Sequence, residues 1–574
     1  MYRAIANRFP LLNVGKSYST DAFKGDFYAG ITVAVLLIPQ AMAYAILAGL
    51  PPVYGLYAGC FPTLIYALMG TSPKLAVGPV ALDSLLIATG LNALSISEPE
   101  NYISSALFLA FYVGILQILL GGLKLGFLIH YLSKPVLSGF ISAAALVIMA
   151  GQLTAVFGVS VPETNVLEGF LEKTSLSFLH LPTFYVGIGG LFFLLFFKRL
   201  APNFPASLAL VLILTVFSCV FMWESNGIAV VGSISKGLPS FELPQVSLSR
   251  WYAMTPLAIT LALISFMQSY SITKRVEEKE GLSFQRPDQE LFALGVANLL
   301  GSFFRAFPVS GGLTRTAVNH ESGAKTAVSG LITALVVGIV LLFFTEYFYH
   351  LPLAALGSII LVAVLQLIDF TYPSMLWHKH RPEFYIFCFT FLATLILGVK
   401  YGILLGVFAS LAHMVYRHSK PHIAVLGRVK GTVHFKNTSR FSGDVITFSG
   451  VLILRFDSSL FYGNQSFFRE QVQRLMDAQK TPVKFLIIDA APIHYIDATA
   501  FEMLHRWISD LHSQGKGVLW AQVIGPIRDG FYKHRLINTD QEQTFFSSLD
   551  SAVSYLSGIS PSTQEEKISN QVNY

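Results

Sequence analysis

Long apolar runs alternate with short polar ones from about residue 27 to residue 416. They fall at about 27–49, 53–70, 79–94, 104–122, 128–151, 182–198 and 205–223. A polar stretch at 224–250 separates these from seven more, at about 255–275, 289–304, 313–324, 326–348, 352–369, 382–398 and 400–416. Most come near the roughly 20 residues that an α-helix needs to cross a bilayer. The pattern predicts a polytopic α-helical membrane protein with 14 transmembrane helices. Two runs are short and interrupted. One (79–94) follows Gly78-Pro79, and the other (313–324) follows Pro308 and Gly311-Gly312. Each is third in its group of seven. Broken segments at matching places in two halves point to a 7+7 inverted repeat with a binding site near the midplane.

Beyond Arg417 the period changes. Short β-like runs (Val445–Phe448, Val451–Phe456, Val483–Ile488, Gly517–Val523) alternate with helical patterns over Asn464–Ala478, Ala498–Ser513 and Ser547–Leu556. That alternation predicts a small α/β domain over 430–557. It follows a polar N-terminal arm (1–25) and a transmembrane domain (26–417), whose repeats cover about 26–223 and 255–416. A polar tail, 558–574, is expected to be disordered.

Composition agrees. The chain of 574 residues is 53% hydrophobic and only 13% charged, with mean hydropathy +0.59. A soluble chain is nearer a quarter charged. The formal charge of +6 reads as cytoplasmic Lys and Arg. They fall at Lys198/Arg199, in the 274–286 loop, at His378 to Arg381 and at Arg417/Lys420, which puts both termini in the cytoplasm. The expected location is a multi-pass protein of the plasma (inner) membrane. No basic, aromatic-interleaved run suggests nucleic acid. Cys60, Cys219 and Cys388 lie far apart in apolar runs, so neither a disulfide framework nor a metal site is expected, and each reads as a small buried hydrophobe. Residues 1–26 are polar and the first apolar run is too long for a signal peptide's core.

The chemistry concentrates at Phe307–Asn319, which carries a Pro, two adjacent Gly, three hydroxyls and Arg315 amid apolar runs. Irregular backbone at membrane depth needs protein or a water-filled cavity around it. A helix starting just after Gly312 would aim its free N–H groups and positive dipole end at an anion. Arg315 either satisfies carbonyls or raises anion occupancy, and an intramembrane charge favours the second. In the matching segment a helix starting near Pro79 would oppose it. Asp83 then lies awkwardly beside an anion; capping or pairing with Arg315 is the simpler expectation, protonation the other. Pro39 frees a carbonyl in the first span, and Gln40 and Tyr44 share one face there. They either wall the site or merely satisfy neighbouring backbone. Gln268, in the eighth span, faces the site or a neighbouring helix. In the α/β domain, Asp497 or Thr499 caps a helix, and Thr499 is a hydroxyl open to phosphorylation. No catalytic triad, phosphate loop or paired carboxylates stands out, so no enzyme and no cofactor is expected.

Taken in order, Ile38–Ala45, Leu50–Tyr57, Val77-Gly78-Pro79-Val80 with Ser84, Asn298 with Gly301 to Phe304, and Phe307–Asn319 resemble the SulP (sulfate permease) family of anion transporters. The downstream domain resembles its STAS module. The resemblance spans about 20–557. It implies a core bundle bearing the site, a second bundle acting as gate or scaffold, an elevator-like motion and a homodimer. It places Gln40, Tyr44, Val80, Ala81, Thr314 and Arg315 at the anion. Many members carry Glu where this chain has Gln268, and that acid is linked to proton coupling; Gln cannot titrate. Gln268 and Asp83 are the candidates for coupling to H+ or Na+, and of the two only Asp83 carries a titratable group.

The function expected is secondary active transport of a small inorganic anion by alternating access, with sulfate first and bicarbonate or chloride behind it. Carriage of an organic anion such as a dicarboxylate, carriage of a nucleobase, and a membrane-anchored sensor working through a cytoplasmic partner of the STAS domain are the competing readings.

Overall fold

The computed structural model describes residues 18–94, 96, 98–127, 133–158, 180–201, 204–245, 247–279, 286–536 and 544–558. The N-terminal arm up to residue 17, the start of the fifth apolar run (128–132), part of the 274–286 loop (280–285) and the tail from 559 lie outside them. The chain divides into two units, Met1–Ser410 and Leu411–Tyr574.

The first unit is helical. In order it contains α1 (Thr20–Leu47), α2 (Pro52–Met69), α3 (Ala81–Asn92), α4 (Pro99–Gly122), α5 (Lys134–Phe157), α6 (Leu181–Leu200) and α7 (Ala206–Val220). Then come α8 (Leu248–Lys279), α9 (Pro287–Ser302), α10 (Leu313–Glu321), α11 (Val328–Phe343), α12 (Leu353–Leu365), α13 (Thr371–Lys379), α14 (Arg381–Leu397) and α15 (Val399–Ser419), the last running past Ser410. Fourteen of these coincide with the fourteen apolar runs. The exception is α13, a short helix between the twelfth and thirteenth runs, whose first turn is held by Asp369 accepting from the backbone of Thr371 and Tyr372 at 3.0 Å each. It lacks a long apolar stretch, so the hydropathy pattern passes over it. Further, α1 starts at Thr20, where the Ser19 hydroxyl accepts from Ala22 N, so the polar arm ends earlier than residue 25. Cys60 is buried as expected, but Cys219 is exposed, on the apolar outer face of α7 that also shows Leu212, Val216 and Val220. Apolar outward faces are what lipid solvates.

Inside a bilayer, close packing and buried hydrogen bonds replace the hydrophobic drive between helices. The contact of α4 with α9 shows this. Gly114 and Gly295 face each other so closely that a Cβ on either would lie 2.8–2.9 Å from the other's carbonyl oxygen. One turn on, at the i+3 positions, Gln117 and Asn298 meet through a 3.0 Å hydrogen bond. Two buried carboxylates fasten α1 to the start of α11 and α9 to α2. Asp26 accepts from Tyr18 Oη (2.9 Å), Lys325 N (2.7 Å), and Thr326 N (2.9 Å) and Oγ1 (2.5 Å). Glu290 accepts from Tyr66 Oη at 2.6 Å, Thr71 N at 3.2 Å and the Thr71 hydroxyl.

The second unit holds one mixed sheet. Its strands are β3 (Ile423–Val429), β4 (Phe435–Asn437), β5 (Val445–Ile446), β6 (Val451–Phe456), β7 (Phe485–Asp489), β8 (Gly517–Ala521) and β9 (Phe545–Phe546). The order is β4-β3-β6-β7-β8-β9, with β5 also paired to β3. Pairing is antiparallel around β3 and parallel from β6 to β9. The helices α16 (Gln465–Asp477), α17 (Ala498–Ser513), α18 (Gly525–Lys533) and α19 (Leu549–Leu556) alternate with the later strands. Side chains alternate across the strands. Leu452, Leu454, Leu486, Ile488, Val518 and Trp520 join one core with Phe468, Leu504 and Phe531 of α16, α17 and α18. Ile453, Ile487 and Leu519 join the other with Leu549 and Val553 of α19. The sheet begins at Ile423, before residue 430, and β4, β9 and α18 lack counterparts in the sequence pattern. Those elements are short or, in β3, interrupted by Gly427 and Arg428.

Candidate anion-binding site

Two-residue strands build the site. β1 (Val77–Gly78) and β2 (Ser310–Gly311) pair antiparallel, Val77 opposite Gly311 and Gly78 opposite Ser310. Each strand runs into a helix whose N-cap is extended: Val80 (φ −135°, ψ 150°) before α3 and Gly312 (φ −93°, ψ 119°) before α10. The ladder therefore brings the N-termini of α3 and α10 together from the two halves. Neither N-terminus has a side-chain cap. The first turn of a helix leaves its leading N–H groups without intrahelical partners, and its dipole end carries about +0.5 of a charge.

The surroundings fix that junction. Ala76 accepts from Gly312 N at 2.9 Å and donates to Thr316 Oγ1 at 3.1 Å. Asn319, one turn on from Thr316, donates to Lys74 O at 2.9 Å. Thr63 of α2 donates to Val77 O at 2.8 Å. From α8, Ser269 Oγ accepts from Gly311 N at 2.8 Å. From α9, Asn298 accepts from Val309 N (2.8 Å) and donates to Val309 O (3.2 Å), copying a strand partner. Gln117 backs Asn298 and is tied in turn to Ser265 Oγ (2.8 Å) and Ala262 O (3.2 Å) of α8.

Arg315 is 2% exposed. Its Nη1 donates to Gln40 Oε1 at 3.3 Å, while Nε and Nη2 have no partner among the described residues. The guanidinium folds over Gly312, where an added Cβ would lie 2.6 Å from Nη2, and passes Gly78, where it would lie 3.3 Å away. Gln40 follows Pro39 within α1 and is 8% exposed; Tyr44, one turn further, is 6% exposed and within electrostatic reach of Arg315. Val80 and Ala81 are buried at the α3 N-cap and first position, and Thr314 is exposed in the first turn of α10. Gln40, Tyr44 and Arg315 are thus brought together beside the two helix starts. Gln268 is half-buried next to Ser269, and its Oε1 has no partner among the described residues.

Asp83 departs from expectation. It is fully buried, neither caps α3 nor pairs with Arg315, and neither carboxylate oxygen has a hydrogen-bond partner among the described residues. In the second unit, Asp497 is the cap of α17, accepting from Ala500 N at 2.8 Å, and Thr499 is exposed beside it. Ser269, Asn298 and Gln117 had no assigned role in the sequence reading. Gln117 is a lone amide in an apolar span, a signal of inward-facing polarity.

The Sulfate permease family model matches residues 23–390, and the STAS domain model matches 444–552. Sulfate transporter 4.1, chloroplastic, of Arabidopsis thaliana is 36% identical over 86% of this chain and 75% of its own length. A probable sulfate transporter of Mycobacterium tuberculosis is 33% identical over 94% of this chain and 96% of its own. The solved structure of murine Solute Carrier 26 family member A9, an anion transporter, superposes with TM-score 0.89 at 24% identity, covering 97% of this chain and 95% of that one. The fold is the 14-helix inverted repeat with an appended STAS domain, and the chain belongs to the sulfate permease family.

Proposed function

We propose that the protein is a secondary transporter of a small inorganic oxyanion, sulfate first, working by alternating access. The observation that carries this is the pair of uncapped helix starts at Ala81 and Leu313 beside an Arg315 with two donor atoms unpaired. Buried donors without acceptors are costly unless a ligand supplies them. Each helix dipole contributes about 0.3–2 kcal/mol toward an anion, and each charge-assisted hydrogen bond about 1.5–3 kcal/mol. A tetrahedral oxyanion offers acceptors to both N-termini and to Arg315 at once. Backbone N–H groups at Val80, Ala81 and Thr314, with Gln40 and Tyr44 as walls, complete the proposed site. The sulfate-transporter names of relatives more than 30% identical support sulfate over bicarbonate or chloride.

The same reading takes the protein as a homodimer in the plasma (inner) membrane with both termini in the cytoplasm, in which the transport unit spans about 26–417 and the STAS domain about 430–557. Cell fractionation tests the membrane, since one relative is chloroplastic by name. The functional test is labelled sulfate uptake into proteoliposomes, with bicarbonate, chloride and dicarboxylate as competitors. Saturable sulfate uptake that Arg315→Ala weakens is the expected result. Uptake of none of these anions, with an intact fold, would overturn it.

A further inference from the structure

The described part of the membrane unit buries Asp26, Asp83, Glu277 and Glu290, and only in Asp83 are both carboxylate oxygens without a hydrogen-bond partner among the described residues. Asp26 and Glu290 each accept several hydrogen bonds. Asp83 is 0% exposed and accepts none from the described residues. The hydroxyls of Ser84, its chain neighbour, and of Ser310, on the strand opposite, are buried and equally without a partner among the described residues. Ser310 is close enough to Asp83 to influence it without closing a hydrogen bond. An ionised carboxylate in such a place costs several kcal/mol unless paired. Asp83 also stands at the third position of α3. A carboxylate there draws on the same dipole and the same free N–H groups as an anion bound at that terminus. Ionised Asp83 and a bound oxyanion therefore exclude each other, and neutral Asp83 and the anion coexist.

We propose that Asp83 is the proton-binding site of the transport cycle, so that one proton enters on its carboxylate as the anion binds and leaves with it on the other side. This rests on the reading of the α3 and α10 starts as the anion site. Among the described residues no group of three or more His, Cys, Asp or Glu side chains is placed to hold a divalent metal ion, and the sodium gradient in the test below separates Na+ from H+. On the elements packed against α3, the titratable or charged groups beyond the first turns are Lys24, Asp26, Tyr28 and Tyr44 on α1, Tyr112 on α4, and Tyr252, Tyr270, Lys274, Arg275, Glu277, Glu278 and Lys279 on α8. Asp26 is held by hydrogen bonds, and the buried Glu277 is controlled for with Glu277→Gln. α5 and α12 have none there, and Arg315 stands across the site on α10, spending Nη1 on Gln40. Tyrosine and arginine ordinarily titrate near pH 10 and above 12, outside the range in which transport would be assayed. His320, at the far end of α10 and 3.1 Å from Lys74 Nζ, is the other group to control for.

The test uses the full chain in proteoliposomes, with labelled sulfate outside and a pH-sensitive dye inside. Wild type should take up sulfate several-fold faster with an inward proton gradient, and a sulfate gradient alone should acidify the lumen. Asp83→Asn, which imitates the neutral carboxyl, should lose both effects while sulfate counterflow persists. Asp83→Glu, Glu277→Gln and His320→Gln should retain both. Proton-driven uptake that survives Asp83→Asn overturns the proposal. So does a wild type whose uptake ignores pH, or follows a sodium gradient instead. Acidification that wild type and Asp83→Glu show and Asp83→Asn loses assigns the proton to Asp83, and a wild type that does not acidify overturns the proposal whether or not the variants fold. Absence of any sulfate counterflow in wild type would sink the anion-site reading itself.

Discussion

Asn298 grips both backbone groups of Val309, accepting from its N–H at 2.8 Å and donating to its carbonyl at 3.2 Å. A side chain from α9 thus acts as the missing strand neighbour of the segment leading to α10. Asn298→Ala would leave the Val309 groups and Gln117 Oε1 short of partners. In water-soluble cores each loss costs about 1–3 kcal/mol, but between membrane helices such bonds average nearer 0.6 kcal/mol. The expected outcome is a protein that still folds, melts a few degrees lower and transports poorly because the α10 start drifts. Melting curves and uptake on the same preparation check it; unchanged uptake would show that the clamp does not position the site.

Arg315 supplies the only full positive charge beside the α3 and α10 starts among the described residues. Removing two charge-assisted hydrogen bonds at about 1.5–3 kcal/mol each predicts a rise in sulfate KM of at least tenfold for Arg315→Ala. Arg315→Lys keeps the charge but not the fork, and should fall between. KM from initial uptake rates is the measurement.

Gly312→Ala separates site geometry from folding. Gly312 has φ −93°, which alanine adopts freely, so the backbone is not strained. The new Cβ would lie 2.6 Å from Arg315 Nη2 and 2.7 Å from Cζ, the movable end of a flexible side chain. The guanidinium must swing aside. Near-normal stability with a raised KM is expected, and a wild-type KM would count against the placement of Arg315.

In the STAS domain, Asp497 accepts from Ala500 N at 2.8 Å and Tyr462 N at 2.9 Å. Asp497→Ala should destabilise that domain by about 0.5–2 kcal/mol. Thr499→Ala, at an exposed position in the first turn, should change stability little. A phosphate on Thr499 would sit at a helix N-terminus, where negative charge is favourable. Phosphorylation is therefore expected to leave α17 folded, which domain-resolved hydrogen exchange can read.

Burial alone would raise the Asp457 carboxyl, but hydrogen bonds from Arg455 (2.6 Å) and His422 (2.9 Å) outweigh it and hold it below the usual range. A depressed folded-state value stabilises above the unfolded pKa of about 3.9, and that stability is lost as pH falls through the folded value. The destabilisation caused by Asp457→Asn should be present at pH 7 and shrink as pH falls below 4. Thermal unfolding of both proteins across that range tests the sign.

The sequence by itself determined the architecture. Apolar runs near bilayer length announce spans whatever their neighbours, because each helix satisfies its own backbone. Pro79 and Gly311-Gly312 announced the two breaks, because their backbone requirements are local. Arg315 was legible for the same reason, as a charge where lipid tolerates none. Only the tertiary structure decided what those breaks do. The pairing of Val77 with Gly311 joins residues more than 200 positions apart, and no local preference encodes that register. The clamp by Asn298, the support by Gln117 and the isolation of Asp83 are likewise properties of neighbours. A buried polar group is satisfied or orphaned only by what packs beside it, so Asp83 reads in the sequence like any capping aspartate and in the fold as a carboxyl with nothing to hold.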